Sequence, residues 1–384
     1  MKIGIFTNNY LPNPYGVPGS VESFRKEFEK MGHEVFIFAP RWPGYVDKNE
    51  NVFRYPAWDL KIKIRFPLAI PYSRRIDKVL EALDLDIIHS QHPNLLGGVA
   101  RKWAWEKKIP LVFTWHTLYD RYANFVPFLP SGLVAWWTIR NARTYANLAD
   151  QVIVPTDSII PILKKWGVKR DMLAISTGVE EEVFQSADGF KVRKDLGLSN
   201  EDVVFLLVSR LTEEKNVEFI FDSLRNILKE EKRAKFLIVG GGYLLPKLET
   251  WVRENDLEGK IFFSGEVERE RVKDYYAAAD VFVYSSLSET QGMIVTEAMY
   301  MGLPIVAVQA TGVSSLVEDG ENGFLVGEDI SEFSDKCQRL IQDLDLRRRM
   351  SKESSRLAKE KYTASVCARK MLEVYQKLTV KKKK

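Results

Sequence analysis

The 384-residue chain has only two cysteines, Cys337 and Cys367, and four histidines. Both cysteines fall in helical, charged surroundings, so no disulfide framework is expected and a reducing, cytoplasmic setting is. The apolar core and cleavage site of a signal peptide are missing, because Met1-Lys2-Ile3-Gly4-Ile5-Phe6 goes directly into a strand pattern. A spanning helix is not expected either: the uncharged run 122–139, between Arg121 and Arg140, is interrupted by Asn124, Pro127, Pro130 and Gly132. A net charge of +4 is small for this length and disfavours nucleic acid as a partner. The fingerprint Gly-x-Gly-x-x-Gly is absent, which disfavours a dinucleotide enzyme. His89, His92 and His116 lie at or past strand ends, but no acid or cysteine stands near them at ligand spacing, so no metal site and no cofactor are expected.

What is present is a long alternation of strand and helix patterns. A chain of 384 residues is long for one core and points to two domains, each able to bury most of its apolar surface. In the first half, strand patterns at 2–6, 35–39, 87–89, 111–114 and 152–154 have helices between them; the helix at 21–31 puts Val21, Phe24, Phe28 and Met31 on one face and stops at Gly32. The rhythm lapses near 180–195, and a second series follows at 203–208, 236–239, 261–263, 281–284 and 305–308. This predicts an α/β protein of two doubly wound parallel-sheet domains, 1–180 and 181–364. The last helical stretch, 351–378, is long and charged; the C-terminal helix at about 365–384 is expected to pack back on the first domain.

The most informative stretch is 285–301, which follows the buried-strand pattern Val281-Phe282-Val283-Tyr284 and leads into helix formers from Met293 to Tyr300. Such a loop aims free N–H groups and the positive end of the helix dipole above the sheet, where phosphate is the usual tenant. Thr290, Gln291, Gly292 and Met293 are therefore candidate binding residues. Glu289 precedes the helix and can accept hydrogen bonds from sugar hydroxyls. Glu297, one turn inside, can reach a second polyol such as a ribose. The alternative is a loop acid and a solvated helix residue. Against it, Glu297 lies among Met293, Ile294, Val295, Ala298 and Met299, where an unpaired carboxylate is costly to bury.

Other candidates share the same sheet edges. Asn13-Pro14-Tyr15-Gly16-Val17-Pro18-Gly19-Ser20 joins the first strand to the first helix, where glycines allow close approach to a phosphate; a plain connecting turn is the equal alternative. In Ser209-Arg210-Leu211-Thr212-Glu213-Glu214-Lys215-Asn216, Arg210 offers a planar fork for phosphate oxygens and Lys215 a point charge near a helix start. Together with Glu289 and Glu297 they point to a diphosphate site. Gly240-Gly241-Gly242 gives a further close-approach loop, and His116 sits just past a strand end.

A Glu, seven residues, then a Glu, followed by Ala-Met and Gly302-Leu303-Pro304, resembles the signature of the retaining nucleotide-sugar glycosyltransferases of family 4. Gly16-Val17 with Ser20-Val21, Gly32-His33-Glu34-Val35, 89–96, Phe113-Thr114-Trp115-His116-Thr117, and Ser209-Arg210-Leu211 with Lys215-Asn216 are similar to the family pattern in the same order, over nearly the whole chain. The resemblance implies a GT-B fold of two Rossmann-like domains facing a cleft, and retention without a metal. It implies that Arg210 and Lys215 hold the diphosphate with support from Gly16, that Glu297 binds ribose, that Glu289 contacts the transferred sugar, and that His116 lies beside the reacting carbon. Asp84-Leu85-Asp86 and Asp343-Leu344-Asp345 sit in helical patterns, unlike a metal-binding Asp-x-Asp. The family's Gly-Gly appears here as Gly16-Val17-Pro18-Gly19, which leaves open which glycine faces phosphate.

Glu289-Thr290-Gln291-Gly292 and 116–122 resemble most the bacterial diacylglycerol glucosyltransferase branch, which implies UDP-glucose as donor and a membrane lipid as acceptor. The composition agrees. From 54 to 78 there are seven basic residues, Arg54, Lys61, Lys63, Arg65, Arg74, Arg75 and Lys78, against Asp59 and Asp77, interleaved with Trp58, Ile62, Ile64 and Phe66. Eight of the nine tryptophans lie in the first 166 residues, including Trp136-Trp137 beside Arg140 and Arg143. Basic and aromatic residues together suit an anionic membrane surface, so a peripheral position on the cytoplasmic face is expected; the alternative is core tryptophans and solvated charges. A family member with a soluble acceptor, and a nucleotide-sugar epimerase or binding protein on the same fold, are the rival functions.

Overall fold

The computed structural model describes residues 1–13, 16–61, 65–118, 131–287 and 289–383, with the side chains of 60, 61, 65, 66, 131, 382 and 383 outside that description. Chain contacts divide it into two units: Met1–Thr177 with Ala364–Lys384, and Gly178–Thr363.

In chain order the first unit contains β1 (Lys2–Phe6), α1 (Val17–Lys30), β2 (Glu34–Pro40), β3 (Val52–Tyr55), β4 (Ala57–Lys61), β5 (Arg65–Ala69), α2 (Arg74–Ala82), β6 (Ile87–Ser90), α3 (Leu96–Glu106), β7 (Leu111–Thr114), α4 (Ser131–Leu148), β8 (Gln151–Val154), α5 (Ile160–Lys165) and β9 (Met172–Ala174). Its main sheet is parallel and runs β3-β2-β1-β6-β7-β8-β9, so the strand order reverses between β1 and β6. Period-two alternation sorts the core: Phe36 and Phe38 of β2 face one side with Ile88, Phe113 and Trp103, while Val35, Ile37 and Ala39 face the other with Val21 and Phe28 of α1. Both faces are covered, which is why these strands read as continuous apolar runs.

The second unit contains α6 (Gly189–Asp195), β10 (Val203–Val208), α7 (Val217–Glu230), β11 (Ala234–Val239), α8 (Leu245–Glu254), β12 (Ile261–Phe263), α9 (Arg269–Ala278), β13 (Val281–Tyr284), α10 (Met293–Tyr300), β14 (Ile305–Val308), β15 (Gly323–Val326), α11 (Ile330–Gln342) and α12 (Leu344–Lys361). Its parallel sheet runs β12-β11-β10-β13-β14-β15 and reverses between β10 and β13. In an open α/β sheet, ligands bind outside the carboxyl ends of the strands at such a switch point. That rule selects the loops after β1 and β6 in one unit and after β10 and β13 in the other.

One sequence expectation needs correction. The helical stretch read as 351–378 is broken at Tyr362-Thr363, where Val179 donates its N–H to the Tyr362 carbonyl at 2.8 Å and bridges Thr363. After the break, α13 (Ala364–Lys383) buries Cys367, Ala368, Met371, Leu372 and Tyr375 in the core of the first unit. Within the basic stretch, β4 and β5 form an antiparallel hairpin, with Trp58 opposite Leu68 and Lys61 opposite Arg65.

Candidate active site

The loops at the second unit's switch point are stitched together by two serines. Ser285 Oγ donates to the carbonyls of Lys215 and Asn216 at 3.0 and 2.7 Å, and Ser286 Oγ to that of Glu214 at 3.4 Å. Fixing the backbone at 214–216 brings Lys215 Nζ into an ion pair with Glu289 Oε1, both side chains being largely buried. Tyr284 OH and Ser286 Oγ donate to the same oxygen at 2.6 and 3.2 Å, and among the described residues none donates to Oε2. Burial pushes the Glu289 carboxyl up, but the Lys215 charge and the three hydrogen bonds outweigh it and hold the group below its ordinary range. It is an anion at neutral pH.

Arg210 stands apart from this pair. Its side chain is 68% exposed and, among the described residues, is held by Glu214 alone, at 3.1 Å. The helix α10 begins where its sequence predicts, with Gly292 as N-cap at φ +73° and no side-chain cap, the kind of helix start that suits an anion. Gln291 beneath it is buried. Gly312, at φ +87°, lies against this loop: a Cβ there would stand 2.8 Å from the Glu289 carbonyl and 2.9 Å from the Gln291 nitrogen.

Glu297 is only 6% exposed and is not unpaired. Arg269 Nη1 approaches Oε1 at 3.4 Å and Tyr276 OH donates to Oε2 at 3.1 Å, while Glu180 lies 3.8 Å from the same guanidinium. Burial dominates all the same and raises the Glu297 carboxyl above its ordinary value despite Arg269. The close approach of Gly240 is to protein rather than to open space, since a Cβ there would overlap the Ser209 carbonyl.

In the first unit, Gly16 caps α1 at φ +65° and ψ −127°, a conformation that favours glycine, and no side chain caps the helix. Gly19 lies inside that helix; Pro14 and Tyr15 are outside the described residues. His116, past the end of β7, has Nε2 2.6 Å from Gln91 Oε1. His89 is buried between Tyr375 OH and Thr114 Oγ1, at 2.5 and 2.6 Å, and His92 Nδ1 accepts the Asn8 N–H at 3.1 Å. Burial pushes His89 and His116 down to about 3 and His92 down to about 4, so all three imidazoles are neutral at pH 7. Among the described residues no three of His, Cys, Asp and Glu are grouped to hold a metal ion.

The two Asp-x-Asp stretches are not helical interiors. Residues 84–86 follow the end of α2, and Asp86 accepts the Lys2 N–H at 2.8 Å; Asp343 caps α12 through Leu346 N at 2.8 Å. Both carboxylates have structural work.

The basic and aromatic candidates divide. Arg54 does not belong to a free basic surface: its guanidinium is spent on Asp47 and on the carbonyls of Pro40 and Leu11. Arg74, Arg75 and Lys78 are exposed on α2. Lys63 lies outside the described residues, and of Lys61 and Arg65 only the pairing across the hairpin is described. Trp103 and Trp115 are core, whereas Trp58, Trp105, Trp136 and Trp137 are each more than half exposed. On α4 the exposed residues Leu133, Trp136, Trp137 and Arg140 recur at one-turn spacing, while Ala142, Tyr145 and Ala146 further along the helix are buried. Among the described residues no helix is long and apolar enough to cross a membrane.

Sequence reasoning missed Tyr284, Ser285, Ser286, Arg269, Tyr276 and Gln91. A pair of hydroxyl residues directly after a buried strand was a usable local pattern for the serines; Arg269 and Tyr276 reach Glu297 from another helix, and nothing local marks them.

Residues 189–356 match the family described as Glycosyl transferases group 1, and residues 15–183 the family described as Glycosyltransferase Family 4. The chain is 31% identical over 345 residues to an alpha-monoglucosyldiacylglycerol synthase of Streptococcus pneumoniae, covering 85% of this chain and 75% of that protein. It is 29% identical over 358 residues to the alpha-monoglucosyldiacylglycerol synthase of Acholeplasma laidlawii, covering 90% and 87%. In architecture it is similar to Anabaena HepE in complex with UDP, with a TM-score of 0.77 at 19% identity over 98% of this chain and 100% of that one.

Proposed function

The chain belongs to family 4 of the glycosyltransferases, with the GT-B fold, and on that premise we propose that it moves glucose from UDP-glucose to a membrane lipid acceptor such as diacylglycerol. The reaction retains the anomeric configuration, needs no metal, and takes place with the protein peripheral on the cytoplasmic face of the membrane. The observation that carries the lipid reading is the solvent-facing row Leu133, Trp136, Trp137 and Arg140, an apolar and basic face of the kind an interfacial helix presents. The names of the two synthases favour the same acceptor.

The site residues divide the chemistry by charge. Lys215, Arg210 and the first amides of α10 face a diphosphate and stabilise the negative charge that grows on it as it leaves. Glu289 keeps one oxygen against Lys215 and turns the other to the sugar hydroxyls, its negative charge matched to a ring that becomes electron-poor. Among the described residues Glu297 has one hydrogen-bond partner on each oxygen, and a carboxylate has about four acceptor sites, so ribose hydroxyls are accommodated beside Arg269 and Tyr276. In the first unit, the open N-terminus of α1 at Gly16 is assigned to phosphate and the neutral imidazole of His116 to the transferred sugar.

A thermal-shift screen of nucleotides tests the donor. UDP and UDP-glucose are expected to raise the melting temperature, by about 2.7 kcal/mol of stability at a hundredfold excess over Kd, while GDP-mannose and ADP-glucose leave it in place. Stabilisation by GDP or ADP donors alone would reject the donor assignment.

A further inference from the structure

Strands β6 and β7 run parallel, with His89 beside Val112 and Ser90 beside Phe113. Alternation then puts His89 and Gln91 on one face of the first, and Thr114 and His116 on the same face of the second. Their side chains form two rungs. The inner rung is Tyr375 of α13, His89 and Thr114, all buried and joined at 2.5 and 2.6 Å. The outer rung is Gln91 and His116. Gln91 is itself 6% exposed, and its backbone N–H donates to the Phe6 carbonyl of β1 at 2.8 Å, so neither its backbone nor its side chain is loose.

We infer that Gln91 is a positioning residue that fixes His116 as the Nε2–H tautomer and leaves Nδ1 as an acceptor for a sugar hydroxyl. A carboxamide oxygen can only accept, so the imidazole must donate to it. Burial keeps the ring neutral with a single N–H, and the bond to Gln91 places that hydrogen on Nε2. The ring then offers the substrate a lone pair in place of a proton. The inner rung holds the two strand ends at a fixed spacing, so the outer bond is set by the fold before any ligand arrives. The inference deepens the proposed function and rests on its assignment of His116 to the transferred sugar.

The test uses the full-length protein with 15N-labelled histidine, whose two ring nitrogens give separate resonances, and needs no substrate for its first readout. Wild type is expected to show His116 as Nε2–H, and Gln91→Leu, which keeps the bulk but not the acceptor, to lose that preference. In transfer assays Gln91→Leu is expected to lower kcat about 100-fold, the scale of a small misplacement of a reacting group, with the KM for UDP-glucose within about twofold of wild type. A merely structural glutamine would move neither the tautomer nor kcat at constant KM. An Nδ1–H ring in the wild type overturns the inference even if the variant fails to fold, and so does a Gln91→Leu protein with wild-type kcat. His116→Ala with wild-type kcat would instead remove the reading of His116, and the inference with it, so the two failures are told apart.

Discussion

Lys215→Ala is expected to weaken UDP binding by about 2–3 kcal/mol, roughly 30- to 150-fold, without unfolding either sheet. The lysine does two things at once. In the proposed reaction it supplies a charge to the diphosphate, and in the structure it neutralises Glu289, whose carboxylate is largely buried beside it. Removing it leaves an anion whose partners among the described residues are Tyr284 and Ser286, next to the place proposed for another anion. The double variant Lys215→Ala/Glu289→Gln is therefore expected to recover about 1 kcal/mol of the loss, a coupling that calorimetric titration with UDP reads directly. Arg210→Ala should lose less in the free protein's stability, since that side chain is exposed and its ion pair is with Glu214 on the surface. The sign with pH follows from the depressed Glu289 carboxyl. The ion pair stabilises the folded chain above the ordinary carboxylate range and is lost as pH falls through the lower folded value, so the stability gap between wild type and Lys215→Ala should close in acid. Unchanged UDP affinity in Lys215→Ala would contradict the site.

The second large effect is at the membrane. Each tryptophan offers roughly 200 Å². With Trp136 and Trp137 each more than half exposed, complete burial at about 25 cal/mol per Å² is worth up to about 5 kcal/mol for the pair. Replacing both by Ser should therefore abolish sedimentation with anionic vesicles at moderate lipid concentration. Replacing Lys61, Lys63 and Arg65 by Ser removes three charges at about 1 kcal/mol each, or roughly two orders of magnitude in binding. The two variants differ in salt response: the tryptophan variant keeps a salt-sensitive residual attraction, while the triple charge variant loses most of it. None of the five substituted residues is among those assigned to the nucleotide, so UDP affinity should be unchanged in both. A wild-type protein that ignores anionic vesicles would remove the docking surface.

Much of the fold was readable because parallel strands covered on both faces leave continuous apolar runs such as Val203–Val208, and because Met293–Tyr300 follows its strand after a loop with a glycine at the cap. The elements that escaped are those with weak local patterns. Met172–Ala174 and Val52–Tyr55 are short edge strands, and the hairpin of β4 and β5 alternates basic and apolar residues in a way that reads equally as a surface loop. Within the site, Glu289 and Lys215 were legible as charged residues in loops after strands, but their pairing depends on Ser285 and Ser286 fixing a carbonyl pattern 70 residues away. Glu297 was flagged by its apolar surroundings; the guanidinium and phenol that receive it come from α9 and carry no local mark. Arg54 shows the reverse error, since composition counts a charge without showing that Asp47 and two carbonyls already hold it.

Lipid-directed, retaining and metal-independent transfer can be read in one experiment: the purified protein is incubated with UDP-glucose and vesicles of anionic phospholipid containing diacylglycerol, in EDTA, and the product is read by proton NMR. The expected product is glucosyl-diacylglycerol with the sugar α-linked, formed at the same rate with and without the chelator. A β-linked product, activity lost on chelation, faster transfer to a water-soluble sugar than to diacylglycerol, or turnover of the donor with no acceptor would contradict it.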